Sequence, residues 1–141
     1  SIAALLYCKN YEKALEAIYS IKGCTETKLH NTHNSIFRLF ELFTLYKLGE
    51  INEVKKQLPK TYKFIKLHKN RSKTENCFIR ALKLFSKSNE HQKILAAFYN
   101  TIYELQLISS DRFERDVFLL FDFIQTLKAE AEIIKKKPIK F

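Results

Sequence analysis

Two histidines and a cysteine have the clearest capacity for chemistry in this sequence. His30 and His33 are three residues apart, and Cys24 precedes them in the same polar stretch. Zinc prefers imidazole and thiolate ligands, but a structural zinc site needs four ligands with supporting contacts. No fourth ligand is close in sequence, although His68 or Cys77 could approach in space. We therefore interpret these residues as parts of a polar loop and predict no metal and no cofactor.

Other catalytic patterns are missing from the sequence. It contains no Gly-rich phosphate loop, no His-Glu motif and no ordered set of Ser, His and Asp. Asp122 is the one charge inside the apolar run 117–124, where a carboxylate could serve acid–base chemistry. An exposed edge of a helix explains Asp122 more simply. We therefore predict that the protein is not an enzyme.

The three cysteines, at positions 8, 24 and 77, are an odd number without paired spacing. This usage indicates free thiols in a reducing compartment, which predicts a cytoplasmic protein. The sequence has no run of about 18 apolar residues, so we predict no membrane span.

Positive charge is concentrated in one part of the chain. The net charge is +10, yet the segment 54–74 holds eight basic residues and no acidic one. Tyr62 and Phe64 lie between the lysines, an arrangement that suits stacking on nucleic-acid bases, although Tyr62 also falls on the apolar side of its helix. A solvated outer face is the simpler alternative. The candidate polyanion-binding residues are Lys55, Lys56, Lys60, Lys63, Lys66, Lys69, Arg71 and Lys73.

The elements that position these residues are helices. The stretch 36–58 predicts two helices joined at Gly49, because a glycine suits the left-handed backbone that ends a helix. Asn52 is the predicted cap of the second helix, and Pro59 is expected to kink or restart it. With only two glycines and two prolines in 141 residues, long helices are favoured over a sheet.

The helical hairpin recurs with a period of about 40 residues, which is typical of stacked repeats. Ala14, Val54 and Ile94 are equivalent in this register. We expect an all-α superhelical stack of antiparallel hairpins closed by a long C-terminal helix. The predicted single repeat domain covers 1–136, with hairpins at about 2–22, 35–68 and 72–108, a capping helix at 111–136 and a basic tail at 137–141. The chain lacks methionine and starts inside a repeat, so we expect a fragment of a longer protein.

Two capping boxes are predicted within this arrangement. Ser72 with Glu75 has the Ser-x-x-Glu pattern that opens a helix, and Asp111 with Glu114 resembles it. The first pair should begin the third hairpin, and the second pair should begin the capping helix.

The turns of the first two hairpins resemble those of tetratricopeptide (TPR) repeats. Tyr11 and Ala14 in the first turn and Gly49 in the second stand where that family has an aromatic, an alanine and a small residue. The resemblance implies a right-handed superhelix that binds proteins or peptides in its concave face. A HEAT-like stack, with a period nearer 40, is the competing architecture. By register with the TPR family, the partner-binding residues are Tyr7, Phe43, Lys47, Lys83 and Lys87, whose charge favours an acidic segment or a C-terminal carboxylate.

The predicted capping helix is apolar on more than one side. Phe118, Leu119 and Phe123 lie outside its inner stripe and would expose a large apolar patch. A second copy of the chain or a segment of the longer parent protein could cover this patch, and we predict a homodimer through these three residues. In the alternative, loops and the preceding hairpin, including Tyr99 and Tyr103, cover the helix completely.

Overall fold

The structure, a computed structural model, describes residues 2–25, 31–68 and 71–137, without the side chains of residues 22–25, 31–33, 119 and 120. Within these ranges the chain forms eight α-helices and no strand, which confirms the all-α class. None of the described helices is long and apolar enough to cross a membrane. The helices are α1 (Ile2–Tyr7), α2 (Tyr11–Thr25), α3 (Asn31–Lys47), α4 (Ile51–Lys66), α5 (Lys73–Lys87), α6 (His91–Ile108), α7 (Arg115–Leu120) and α8 (Phe123–Lys136).

The helices belong to two compact units, Ser1–Lys69 and Asn70–Phe141. The boundary falls between the second and third predicted hairpins. That both units belong to one repeat domain stays a prediction, and the last four residues of the basic tail lie outside the described ranges.

In the first unit, each helix packs on the next: α1 on α2, α2 on α3, and α3 on α4. The connections after α1 and α3 are only a few residues long, which makes the joined helices antiparallel neighbours. The core is built from positions at helical spacing. Its buried apolar members include Leu6, Ala14, Ile18, Ile36, Leu45, Val54, Leu58 and Ile65.

The two turns of this unit have the same backbone geometry. Gly49 has φ +79°, and the Glu50 N–H donates to the Leu45 carbonyl over 3.0 Å. Lys9 has φ 58°, and the N–H of the next residue donates to the Leu5 carbonyl over 2.9 Å. A left-handed residue followed by a bond that spans the last helical turn is the Schellman type of helix ending. The repeat register therefore holds at the level of the backbone.

Both turns contain a left-handed residue. Removing the glycine at position 49 and introducing one at position 9 should therefore have opposite effects on stability. Gly49→Ala is expected to destabilise the protein by about 1 kcal/mol, since a Cβ there meets no atom within 4 Å and the cost is purely conformational. Lys9→Gly should instead stabilise it by up to about 1 kcal/mol, because a lysine is strained at positive φ. Lys13→Gly, inside α2, is the matched control and should destabilise. Denaturant unfolding of the full chain measures all three, and a destabilising Lys9→Gly would contradict the assignment.

The second helix of each predicted hairpin also begins in the same way. The N–H groups of Ala14, Val54 and Ile94 each donate over 3.0 Å to the carbonyl four residues earlier. All three side chains are buried. The turn of the third hairpin is different, because Ser88 is extended rather than left-handed. That the three hairpins are units of one repeat with a period of about 40 residues stays a prediction.

Two expectations for α4 need correction. The residue that caps its N-terminus is Glu50, not Asn52, and it does so without a side-chain hydrogen bond. The helix also continues through Pro59 rather than restarting. Pro59 is exposed, so its ring lies on the solvent side of the helix.

In the second unit, α6 packs against both α5 and α8. The buried side chains between α6 and α8 form one cluster. Phe85 of α5 packs against it, with its ring centre 5.1 Å from the ring centre of Phe98. The cluster contains Ile94, Phe98, Ile102, Ala131 and Ile134.

The predicted capping helix 111–136 is wrong as a single helix, because it breaks at Phe121 and Asp122. Phe121 is extended, and the Asp122 side chain accepts a hydrogen bond from the Gln125 N–H over 3.0 Å as the N-cap of α8. Residues two apart lie on nearly opposite sides of a helix. The break lets Phe121 and Phe123 both turn inward, with their rings 5.1 Å apart.

This break also removes Phe123 from the predicted dimer surface. Phe123 is only 7% exposed, and its ring lies 5.1 Å from that of Phe78. Phe118 is half-buried, and the side chain of Leu119 is outside the description. Phe123 is therefore part of the protein's own core and is not available for the predicted dimer contact.

The second predicted capping box is wrong, whereas the first is confirmed. Ser72 and Glu75 exchange hydrogen bonds of 3.1 and 3.2 Å at the start of α5. Glu114 is the N-cap residue of α7 but makes no side-chain capping bond there. Its carboxylate instead accepts hydrogen bonds from the N–H groups of Lys73 and Thr74, over 2.7 and 3.4 Å, and from the Thr74 hydroxyl over 2.9 Å. A carboxylate at the N-terminus of a helix also complements the helix dipole. Together, Glu114 and Ser72 satisfy the free N–H groups of the first turn of α5.

Candidate partner-binding surfaces

The predicted partner-binding residues of the first unit are only partly available. Tyr7 is exposed at the end of α1. Phe43 is half-buried, and its ring meets that of Tyr11 edge-on at 6.4 Å. The Lys47 ammonium lies 5.9 Å from the centre of the same Tyr11 ring. The side chains of Phe43 and Lys47 therefore both lie against the ring of Tyr11.

The predicted partner-binding residues of the second unit are exposed. Lys83 and Lys87 lie one turn apart on the outer side of α5, beside the exposed Leu84. Arg80, one turn earlier, is paired with Glu104 over 2.7 Å. The five residues predicted as one groove thus form two partial surfaces, each in its own compact unit.

The basic run is divided in a similar way. Lys55, Lys56, Lys60, Lys63 and Lys66 are all exposed on α4, and we call them the lysine face. At about 100° per residue they occupy an arc of roughly 140°. The opposite side of the same helix is buried through Val54, Leu58, Thr61 and Ile65.

The remaining members of the run have other roles. Arg71 donates from Nε to the Asn76 side chain over 2.9 Å. The Lys73 ammonium pairs with Asp111 over 2.6 Å, and this pairing holds the pKa of the Asp111 carboxyl below its usual value. Both belong to the second unit. Lys69 lies outside the described residues.

One surface was missed by the sequence analysis. Tyr99, Tyr103 and Leu107 are exposed along one side of α6, and we call them the α6 stripe. Tyr103 and Leu107 are each 63% exposed. The sequence analysis considered Tyr99 and Tyr103 only as a possible cover of the last helix, in the alternative to the homodimer. Tyr99, Tyr103 and Leu107 are four residues apart, which indicates that they share one side of a helix. This spacing does not show which of two apolar sides is covered by the rest of the protein.

The α6 stripe is also uncharged. The other exposed residues on this side of α6 are Gln92, Ala96, Asn100 and Gln106. Lys135 approaches its edge, with the ammonium 6.0 Å from the Tyr99 ring centre. An uncharged surface with two tyrosines is unusual in a chain of net charge +10.

The reactive side chains form no catalytic group among the described residues. Cys77 is buried, and burial together with Glu104 raises the pKa of its thiol to about 12, so it is not a nucleophile at neutral pH. Cys8 is an exposed free thiol. Nowhere in the described ranges do three or more His, Cys, Asp or Glu side chains lie close enough to hold a metal ion. The suggested zinc ligands at positions 24, 30 and 33 have side chains outside the description.

Comparisons with known proteins yield no match: no family model fits the chain, and no curated protein or solved structure is similar to it. Among the described residues, three surfaces are exposed and chemically distinct: the α6 stripe, the lysine pair on α5 and the lysine face of α4.

Proposed function

We propose that this chain is a non-catalytic scaffold that binds another protein and that its helices form a TPR-like stack. In the first unit α1 packs on α2, α2 on α3 and α3 on α4, and the same turn recurs at Lys9 and Gly49, which supports a repeat architecture. We also propose a cytoplasmic location, supported by the free thiols of Cys8 and Cys77.

The observation that carries the proposal is the α6 stripe. Tyrosines supply much of the binding energy in protein interfaces, because a large rigid ring is buried while its hydroxyl finds a polar partner. Tyr99 and Tyr103 present such rings one turn apart, and Leu107 extends the apolar surface by another turn. An α-helix with 18 residues is about 27 Å long, long enough to receive an amphipathic helix of the partner.

The lysines of α5 add a charged contact. Lys83 and Lys87 are exposed and close enough to meet successive carboxylates of an acidic partner segment. Lys47 offers a similar contact in the first unit, and Tyr7 an exposed ring. Surface charges of this kind act mainly on the rate of association and on partner choice.

Capture from an extract of the source cells tests the proposal. The wild-type chain should retain one or more proteins that the Tyr103→Glu, Leu107→Glu variant loses, because two carboxylates would be buried in the interface. For a captured protein then purified, Tyr103→Ala should weaken the measured affinity about tenfold or more. Lys47→Glu with Lys83→Glu should weaken it further if the partner segment is acidic.

Leu67→Glu is the matched control, since Leu67 is 72% exposed and belongs to the other unit. It should capture the same proteins as the wild type. Equal capture by the α6 variant and the control would refute the α6 stripe as the binding surface.

A further inference from the structure

The lysine face of α4 has features that a protein-binding surface does not need. Its five ammonium groups extend from Lys55 to Lys66, which is about 16 Å along the helix. Glu53 is the one carboxylate in α4; it is half-buried and accepts a hydrogen bond from Gln57 over 3.4 Å. The helix therefore carries five lysines against one carboxylate.

The aromatic rings of α4 are already used within the first unit. The Arg38 guanidinium lies 4.0 Å from the centre of the Phe64 ring. Tyr62 is half-buried, and the Lys66 ammonium lies 5.6 Å from its ring centre. Stacking on bases, which the sequence suggested for these rings, would require both contacts to be given up. Contact with phosphates through Lys55, Lys56, Lys60 and Lys63 requires neither.

The residues on the face also disfavour an acidic protein as its ligand. A protein interface depends on buried aromatic and arginine anchors, and the lysine face has no arginine; its largest exposed apolar neighbour is Leu67 at one end. Lysines are strongly hydrated point charges without the fork that grips a carboxylate in two places. Such charges gain most from a ligand of high linear charge density, whose condensed counterions are released on binding.

We propose that the lysine face of α4 binds the phosphate backbone of nucleic acid without reading its sequence. Duplex DNA carries one negative charge per about 1.7 Å, so a row of lysines about 16 Å long faces several phosphates at once. The proposal does not rest on the α6 stripe, which lies on another helix in the other compact unit.

Fluorescence anisotropy of the full chain with labelled duplexes of about 20 base pairs and unrelated sequences tests the proposal. The affinities should be equal across sequences and should fall by roughly two orders of magnitude between about 50 and 200 mM salt, as expected for four or five phosphate contacts. Lys56→Glu, Lys60→Glu and Lys63→Glu together should weaken binding at least tenfold at low salt and reduce the salt slope by about three.

A charge-matched variant separates the lysine face from general positive charge. Lys13→Glu, Lys128→Glu and Lys136→Glu change three exposed lysines on other helices. Each set of three reversals lowers the net charge by 6, from +10 to +4. The control should bind within a few-fold of the wild type, and circular dichroism should show equal helical content for both variants.

Three results would overturn the proposal. Equal losses in the two variants would assign binding to net charge alone. Polyglutamate bound as tightly as the duplex, with the same loss in the α4 variant, would identify an acidic protein as the ligand. Undetectable binding at low salt would leave the lysine face as a solvated surface.

Discussion

Leu45→Ala is expected to destabilise the protein by about 2–5 kcal/mol, the cost of deleting most of a buried leucine side chain and leaving a cavity. Leu45 is 3% exposed in α3, the helix that packs on both α2 and α4. Its carbonyl also receives the closing hydrogen bond of the turn at Gly49. The side chain is thus buried in a helix that has two packing partners.

Amide hydrogen exchange of the full chain measures this effect best, because the two compact units need not unfold together. Protection should fall across α3 and α4. Leu67→Ala, at a leucine that is 72% exposed, is the control and should change the free energy of unfolding by less than about 0.5 kcal/mol. A change below about 1 kcal/mol for Leu45→Ala would contradict its burial.

Glu114→Gln should destabilise the second unit by about 2–3 kcal/mol, as expected for hydrogen bonds made to a buried charged group. The carboxylate is 5% exposed and accepts from the first two N–H groups of α5 and from the Thr74 hydroxyl. The amide keeps the shape but loses the charge that favours the helix N-terminus. It also turns an NH₂ group toward donors.

Asp111→Asn is the matched control for this change. It also converts an acid to its amide in the same loop, but it affects the exposed pair with Lys73 and should have a much smaller effect. The measurement is the exchange rate of the Lys73 and Thr74 amide hydrogens together with denaturant unfolding. Unchanged exchange at both amides in Glu114→Gln would show that this carboxylate does not cap α5.

The features that the sequence predicted correctly are local ones. Ser72 and Glu75 are three residues apart, so the capping box closes within one turn, whatever surrounds it. Gly49 takes the left-handed backbone because only the next few residues determine that turn. The buried positions 14, 54 and 94 follow from the same register, since helical spacing alone sets which residues share a side.

The partner-binding residues and the dimer contact were less predictable. Spacing along a helix shows that two sides are apolar, but the tertiary structure decides which side is covered. In α6 the side with Ile94 and Phe98 packs on α8, whereas Tyr103 stays exposed. In the predicted capping helix, by contrast, we expected Phe123 to be exposed, but it is buried against Phe78.

By itself the sequence determined the helical class, the turn at Gly49 and the amphipathic pattern of α4, because each depends on neighbours within one or two turns. The tertiary structure decided which groups that are far apart in the sequence contact each other. Glu114 caps a helix that begins 41 residues earlier, and Asp122 breaks a helix so that Phe121 and Phe123 can both be buried. Such choices depend on free energies of burial and hydrogen bonding between segments far apart in the chain, and no local pattern specifies them.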